Sequence, residues 1–356
     1  MKDINFFLQE YEVRGHKIPS RFFFAPINTG YANNGEPTMR LIDFHTLRSG
    51  KRIGISYVGN VAIGKRFVTN DNTLFFNCED EKWIKLTQSI KNNGSVPGIQ
   101  LGCRYSKIKP LKSFKAENVE KYLQDARAEL SLTSKDEIKM IEEGFVQSAI
   151  KAYNVGFEVI QIHAAHGYFL SLLISNNFNI REDEYGVNRT LLLENIITRI
   201  RKNLPNVILD VRISLLEGLD SIKSEIEYKK EVIKDICKLD IDIVSISNGI
   251  YNVNKELIYP PLGWGNGVYI DKVLPFSKEY PNKLWNISGN IWDLNSIIKS
   301  IPNNVTFSIG RSLIADSEFV SKTYEGNIES INKCIRCNSC HYYSFGKANI
   351  ECRINN

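Results

Sequence analysis

Apolar residues in this chain gather in short, β-branched runs separated by polar or amphipathic stretches. The runs at 21–27, 53–61, 96–102, 157–164, 207–214, 241–248, 284–289 and 305–310 are hydrophobic along most of their length. That pattern predicts strands covered on both faces, as in a parallel sheet. Helical patterns lie between most of them, including 134–153, 189–202, 224–238 and 293–300. Eight strands with intervening helices predict an α/β fold, a (β/α)8 TIM barrel rather than an open doubly wound sheet. The polar, weakly patterned stretch 104–134 reads as an irregular loop after the third strand. From Asn332 the chain turns Cys-rich and poor in aliphatics. The domain reading is a barrel over 1–331 and a short C-terminal appendage over 332–356.

Composition changes this picture little. A length of 356 residues suits one α/β barrel, and 43% hydrophobic with 24% charged residues is ordinary for a globular protein. The net charge of +5 suits an anionic cofactor or substrate. It lacks the dense Lys/Arg stripe of a nucleic-acid binder. The N-terminus has no apolar signal region and no run approaches a membrane span, so a cytoplasmic protein with no membrane partner is expected. Four of the seven cysteines crowd into 334–352. In a reducing compartment such a cluster reads as metal binding before disulfides.

Function in such a barrel sits at the C-terminal ends of the strands. The fourth predicted strand runs into His163, His166 and Tyr168. Two imidazoles followed by a phenol can present several donors to one ligand oxygen. Without an acidic ligand at a suitable spacing they are weak for zinc, and they could equally satisfy backbone carbonyls. Arg212, between Val211 and Ile213 in the fifth strand, must face an anion, an acceptor or a structural partner. Gln100 places an amide, able to donate and accept, in the apolar third strand. Gly289 and Gly310 follow the last two strands, where barrels bind phosphate, and Arg311 adds a charge. The bland alternative for these glycines is a left-handed turn.

Together these residues resemble the old yellow enzyme family of FMN-dependent NAD(P)H oxidoreductases. The block from Gly156 to Leu170, the segment Asn179 to Gly186, Asn188-Arg189, and Arg21 to Pro26 carry the likeness, with Val211 to Ser214 and Gly310-Arg311. The branch with bacterial 2,4-dienoyl-CoA reductase is most similar, through Asn28-Thr29-Gly30 and the cysteine tail. The resemblance implies that Pro26 and Ile27 line the flavin, Asn28 meets its C4 oxygen, and Gly59 lets the backbone approach the ring. It places Gln100 at the pyrimidine edge, Arg212 near N1/O2, and Gly289, Gly310 and Arg311 on the phosphate. His163 and His166 would bind the oxygen of a small substrate carrying an electron-withdrawing group, and Tyr168 would protonate its α carbon.

Three departures matter. The loop after Gln100 is shorter than in relatives and lacks a histidine found there. Beyond the sixth strand, Gly249-Ile250-Tyr251-Asn252 stands where the dienoyl-CoA reductases carry a further histidine, which makes dienoyl-CoA a poor substrate expectation. The tail reads Cys334-x2-Cys337-x2-Cys340-x11-Cys352, one residue shorter than the [4Fe–4S] spacing of those relatives. A retained cluster, a zinc ion or free thiols remain open, with His341 as a substitute ligand. The chain ends at Asn356, so the FAD domains of those relatives are expected to be missing. The readings carried forward are an ene-reductase using NAD(P)H directly, a reductase fed through the cluster by an electron-transfer partner, and a non-catalytic flavin-binding protein. Whether the chain forms a homo-oligomer is left open.

Overall fold

The computed structural model describes residues 3–50, 52–77 and 80–355, and its centre is a closed ring of eight parallel strands. They are β1 (Phe22–Ile27), β2 (Ile55–Ala62), β3 (Val96–Gly102), β4 (Val159–Ala164), β5 (Ile208–Ser214), β6 (Ile243–Ser247), β7 (Leu284–Ser288) and β8 (Val305–Ile309). Each pairs with its sequence neighbour, and β1 closes the ring by pairing with both β8 and β2. The fold is the (β/α)8 barrel that the apolar runs predict. Among the described residues, no helix is long and apolar enough to cross a membrane.

Alternation along each strand splits the side chains into two sets. Outward residues such as Phe22, Phe24, Leu209, Val211 and Ile213 join the large apolar shell beneath the helices. Inward residues at the N-terminal end (Phe23, Ile55, Val159, Ile208 and Ile243) form a separate small core. Against that core packs a hairpin of Tyr11–Val13 and His16–Ile18, which stoppers the bottom of the barrel.

The stretch 104–134 is not wholly irregular, because residues Val119–Leu132 form a helix. The Asn118 side chain caps it by accepting from the Lys121 amide. Only Ala126 and Leu130 are fully buried, so a thin apolar stripe is masked in the sequence by the charges around it. The next helix, Lys135–Asn154, starts on a capping box between Ser134 and Glu137.

Residues 332–355 fold back over the C-terminal end of the barrel. The Ile350 amide donates to the Thr29 carbonyl at 2.8 Å, and the Asn332 amide donates to Asp316 Oδ2 at 2.8 Å. Tyr342 and Ile350 are buried there.

Candidate active site

Moving up the barrel by the two-residue pitch of each strand, the inward side chains change from apolar to polar. On β5 they are Ile208, then Asp210, then Arg212, and on β4 they are Val159, Gln161 and His163, paired with them residue for residue. Asp210 is fully buried. Its Oδ2 accepts from the Tyr57 hydroxyl, Gln161 Nε2 and the Ser245 hydroxyl. Burial raises its pKa to about 6, against the opposing pull of those donors. A carboxylate can only accept, so Gln161 must turn its amide nitrogen toward Asp210 and its oxygen toward Gln100. Gln100 Nε2 donates to that oxygen at 2.6 Å. Its own oxygen is thereby free to face the cavity above, so Asp210 sets the polarity of Gln100 through one intermediate.

Above this layer a cavity opens at the C-terminal ends of the strands. Pro26, Ile27, Asn28, Gln100, His163, His166, Tyr168, Arg212, Gly289, Gly310 and Arg311 all line it. The structure thus brings together eleven of the twelve non-cysteine residues singled out from the sequence. Gly59 stands just outside the lining. A Cβ there would lie 2.9 Å from the Gln100 Cβ and 3.1 Å from the Pro26 Cβ, so the bare backbone serves close strand packing. The β2–β3 register shifts between Val58 and Val61, and the neighbouring Asn60 reaches the wall instead.

The two histidines are held differently. His166 has a left-handed backbone (φ 65°), its amide donates to the Ser214 hydroxyl, and its Nε2 meets the Ser247 hydroxyl at 2.7 Å. His163 is buried with its Nδ1 unpartnered. Burial first, then the Arg212 charge, holds His163 well below the usual imidazole range. Burial, His163 and Arg212 do the same to His166. Both rings are therefore neutral at physiological pH. The Tyr168 ring lies 4.4 Å from that of His163, and its hydroxyl meets the Thr69 hydroxyl at 3.0 Å. Burial raises the Tyr168 pKa, which keeps the phenol protonated.

Arg212 Nη2 donates to the Ser247 and Ser288 hydroxyls, while its Nε and Nη1 have no partner. Ser308 Oγ and Asn60 Nδ2 are likewise buried and unpartnered. Such atoms are costly in a folded protein unless a ligand satisfies them. The lining carries Arg104, Arg212, Lys255, Arg311 and Arg336 and no carboxylate. That donor set fits a planar heterocycle with a polar edge at the barrel centre and an anionic group near the last two strands.

The tail forms part of the wall. Tyr342 donates to Asn28 Oδ1 at 3.0 Å and accepts from Asn70 Nδ2 at 3.0 Å. His341 stacks on Tyr251 at 5.8 Å. At Cys340, burial raises the thiol pKa to about 12 against the pull of Arg311, and Cys334, Cys337 and Cys352 push the same way as burial. The four thiols share one neighbourhood. Among the described residues, however, no group of three or more His, Cys, Asp or Glu is placed to hold a metal ion, so the tail as arranged does not fit one. Asn60, Thr69, Arg336 and Tyr342 escape sequence reasoning. Arg336 and Tyr342 lie within the cysteine tail, where the thiol spacing drew the attention, and Asn60 follows Gly59.

The profile of the NADH:flavin oxidoreductase / NADH oxidase family matches residues 11–329. An NADH oxidase of Thermoanaerobacter brockii is 26% identical over 354 residues, covering 90% of this chain and 51% of that protein. The chain thus spans about half the length of that relative. An NADPH dehydrogenase of Clostridium acetobutylicum is 26% identical over 328 residues, covering 88% of this chain and 92% of its own length. Among solved structures, a 2-naphthoyl-CoA reductase in complex with 2-naphthoyl-CoA superposes with a TM-score of 0.80 at 18% identity, over 99% of this chain and 57% of that one. An old yellow enzyme from Pichia sp. superposes with a TM-score of 0.71 at 16% identity, over 91% and 88% of the two chains. At these identities the structural likeness speaks for the fold.

Proposed function

The chain belongs to the NADH:flavin oxidoreductase / NADH oxidase family, and from that premise we propose that it is an FMN-dependent NAD(P)H oxidoreductase of the ene-reductase type. The observation that carries this reading is the set of buried, unpartnered polar atoms around one cavity: His163 Nδ1, Arg212 Nε and Nη1, Asn60 Nδ2 and Ser308 Oγ. Pro26, Ile27 and Asn28 would line the flavin, Gln100 would take its pyrimidine edge and Arg212 the N1/O2 region. Gly289, Gly310 and Arg311 would hold the phosphate. When bound, FMN supplies hydride chemistry at N5, with both electrons drawn from NAD(P)H.

The chain's own residues do the rest. His163 offers the substrate oxygen an imidazole free of other partners, and His166, fixed through Ser247, presents the second. As neutral rings they orient and polarise that oxygen through N–H donation. Tyr168 gives its proton to the α carbon while the β carbon receives the hydride. One C=C is reduced for each NAD(P)H oxidised, and Tyr168 regains its proton from solvent.

Purified full-length protein is expected to bind about one FMN per chain and to be reduced by NADH or NADPH; failure to take up FMN would end this reading. A cation beside N1/O2 favours the reduced flavin, so Arg212→Ala should lower the midpoint potential by about 30–60 mV, corresponding to about 1.4–2.8 kcal/mol for a two-electron couple. An unchanged potential would remove Arg212 from that role.

The tail supports a second element of the proposal, a soft-metal centre (iron–sulfur or zinc) on Cys334, Cys337, Cys340 and Cys352. The cysteine spacing alone favours it, and because the thiols as arranged do not fit an ion, closure around one would require them to draw together. No step above passes through it. Anaerobic iron, sulfide and zinc analysis should find metal in the native chain and a loss in Cys337→Ala. Metal-free protein with intact thiols would make the segment purely structural.

A further inference from the structure

Where the tail crosses the ends of β7 and β8, two guanidinium groups meet at one acceptor. Arg311 Nη1 donates to Asn338 Oδ1 at 2.9 Å, and its Nη2 donates to the Pro260 carbonyl and to Asn290 Oδ1. Arg336 Nε donates to the same Asn290 oxygen at 2.7 Å, and its Nη1 donates to the Cys334 carbonyl. Asn290 cannot turn away, because its Nδ2 donates to the carbonyls of Pro261 and Gly265. Among the described residues no carboxylate forms an ion pair with either arginine, and both line the cavity. Arg336 is only 8% exposed. Two like charges brought to one acceptor in a buried place need an anion between them.

The backbone gives a second, independent sign. Arg336 (φ 58°), Asn338 (φ 58°) and Asn290 (φ 54°) all adopt the left-handed conformation. Asparagine tolerates it, whereas for arginine the Cβ crowds the following carbonyl. Glycine would be the natural occupant between Cys334 and Cys337 if only the turn mattered. Such an outlier is retained where the side chain has work to do.

We infer that Arg336 is a second ligand for a phosphomonoester dianion at the end of β8, forming with Arg311 a two-guanidinium clamp on the cofactor's phosphate. The inference rests on reading the cavity as an FMN site. It adds that the cysteine segment is part of that site, since Arg336, immediately before Cys337, reaches the phosphate end. Paired guanidiniums suit the planar, multidentate contacts that phosphate oxygens accept.

The test compares FMN with riboflavin, which lacks the phosphate, by fluorescence titration of the flavin-stripped full chain. Wild type should bind FMN more tightly than riboflavin. Arg336→Gly, which suits the left-handed backbone, should weaken FMN by about 10- to 100-fold, the scale of a lost charged hydrogen bond, and leave riboflavin affinity and the apoprotein Tm unchanged. Arg336→Lys should recover part of the loss. Equal weakening of both flavins would make Arg336 a structural residue and overturn the clamp, as would an unchanged FMN affinity. Wild type that binds both flavins equally would remove the phosphate clamp while leaving the flavin site. Wild type that binds neither would overturn the FMN reading itself, and the clamp with it.

Discussion

Tyr168→Phe is expected to slow oxidation of the reduced enzyme by an enone about 10²–10⁴-fold, the range for losing a general acid. The expectation follows from what surrounds the phenol. Its ring packs 4.4 Å from His163, so Phe keeps the packing and removes only the hydroxyl. That hydroxyl meets the hydroxyl of the half-buried Thr69, and burial keeps it protonated across the physiological range. Reduction of the enzyme by NAD(P)H needs no proton from Tyr168 and should proceed at the native rate. Oxidation by molecular oxygen needs no protonation at carbon and should also be spared. Stopped-flow traces with the two oxidants separate the possibilities. Equal slowing of oxygen and enone would assign Tyr168 to packing and take away its role as proton donor.

The second large effect concerns acid. His45, His163 and His166 are all buried. Burial, and for His45 secondarily the Arg48 charge, takes that imidazole down to about 3, and the other two lie well below their ordinary value. An unfolded histidine takes up its proton near pH 6.5, so below that pH the unfolded chain binds more protons and stability falls as pH falls. Asp210 opposes this. Its folded pKa of about 6 exceeds the ordinary carboxyl value of 3.8, so it adds stability as pH falls through that window. His341 is likewise taken down to about 3, by burial and then the Lys255 charge. Four imidazoles thus stand against the two carboxyls that burial raises, Asp210 and Glu225, and the balance is a net loss of stability between pH 7 and pH 5. Urea unfolding of the apoprotein should show midpoints that fall steadily from pH 7 to pH 5, with a shallower fall in His45→Gln. A flat profile would mean that these imidazoles gain protons without unfolding.

Much of the architecture could be read from the sequence, for a physical reason. Strands buried on both faces must be apolar nearly throughout, so all eight ring strands stand out, with ends misplaced by a residue or two. The helix Val119–Leu132 was hidden because its buried stripe is only Ala126 and Leu130 wide among charges. Gln100 and Arg212 were legible because a polar side chain in an apolar strand needs a partner to face. Asn60 was not, since a one-residue register shift decides whether it or Gly59 meets the wall. Thr69, Arg336 and Tyr342 reach the cavity from loops and tail, through contacts such as Tyr342 with Asn28 that span most of the chain. No local pattern encodes these contacts. Nor does a cysteine spacing announce the left-handed backbone at Arg336.

The two-residue pitch also separates what mutation can alter. Inward positions at the strand tops, such as Gln100, His163, Arg212, Ser247 and Ser288, border the cavity, whereas their outward neighbours Ile99, Leu101, Ile162, Val211, Ile213, Ile246 and Ile287 belong to the apolar shell. Exchanging a top residue removes few apolar contacts from that shell, and a change in the shell leaves the cavity's donors where they were. Inheritance can therefore rewrite the chemistry at the rim one strand at a time while the ring beneath stays folded. The exceptions are Asp210 and Gln161, which lie below the rim and hold Gln100 from beneath, so a change at either disturbs Gln100 as well.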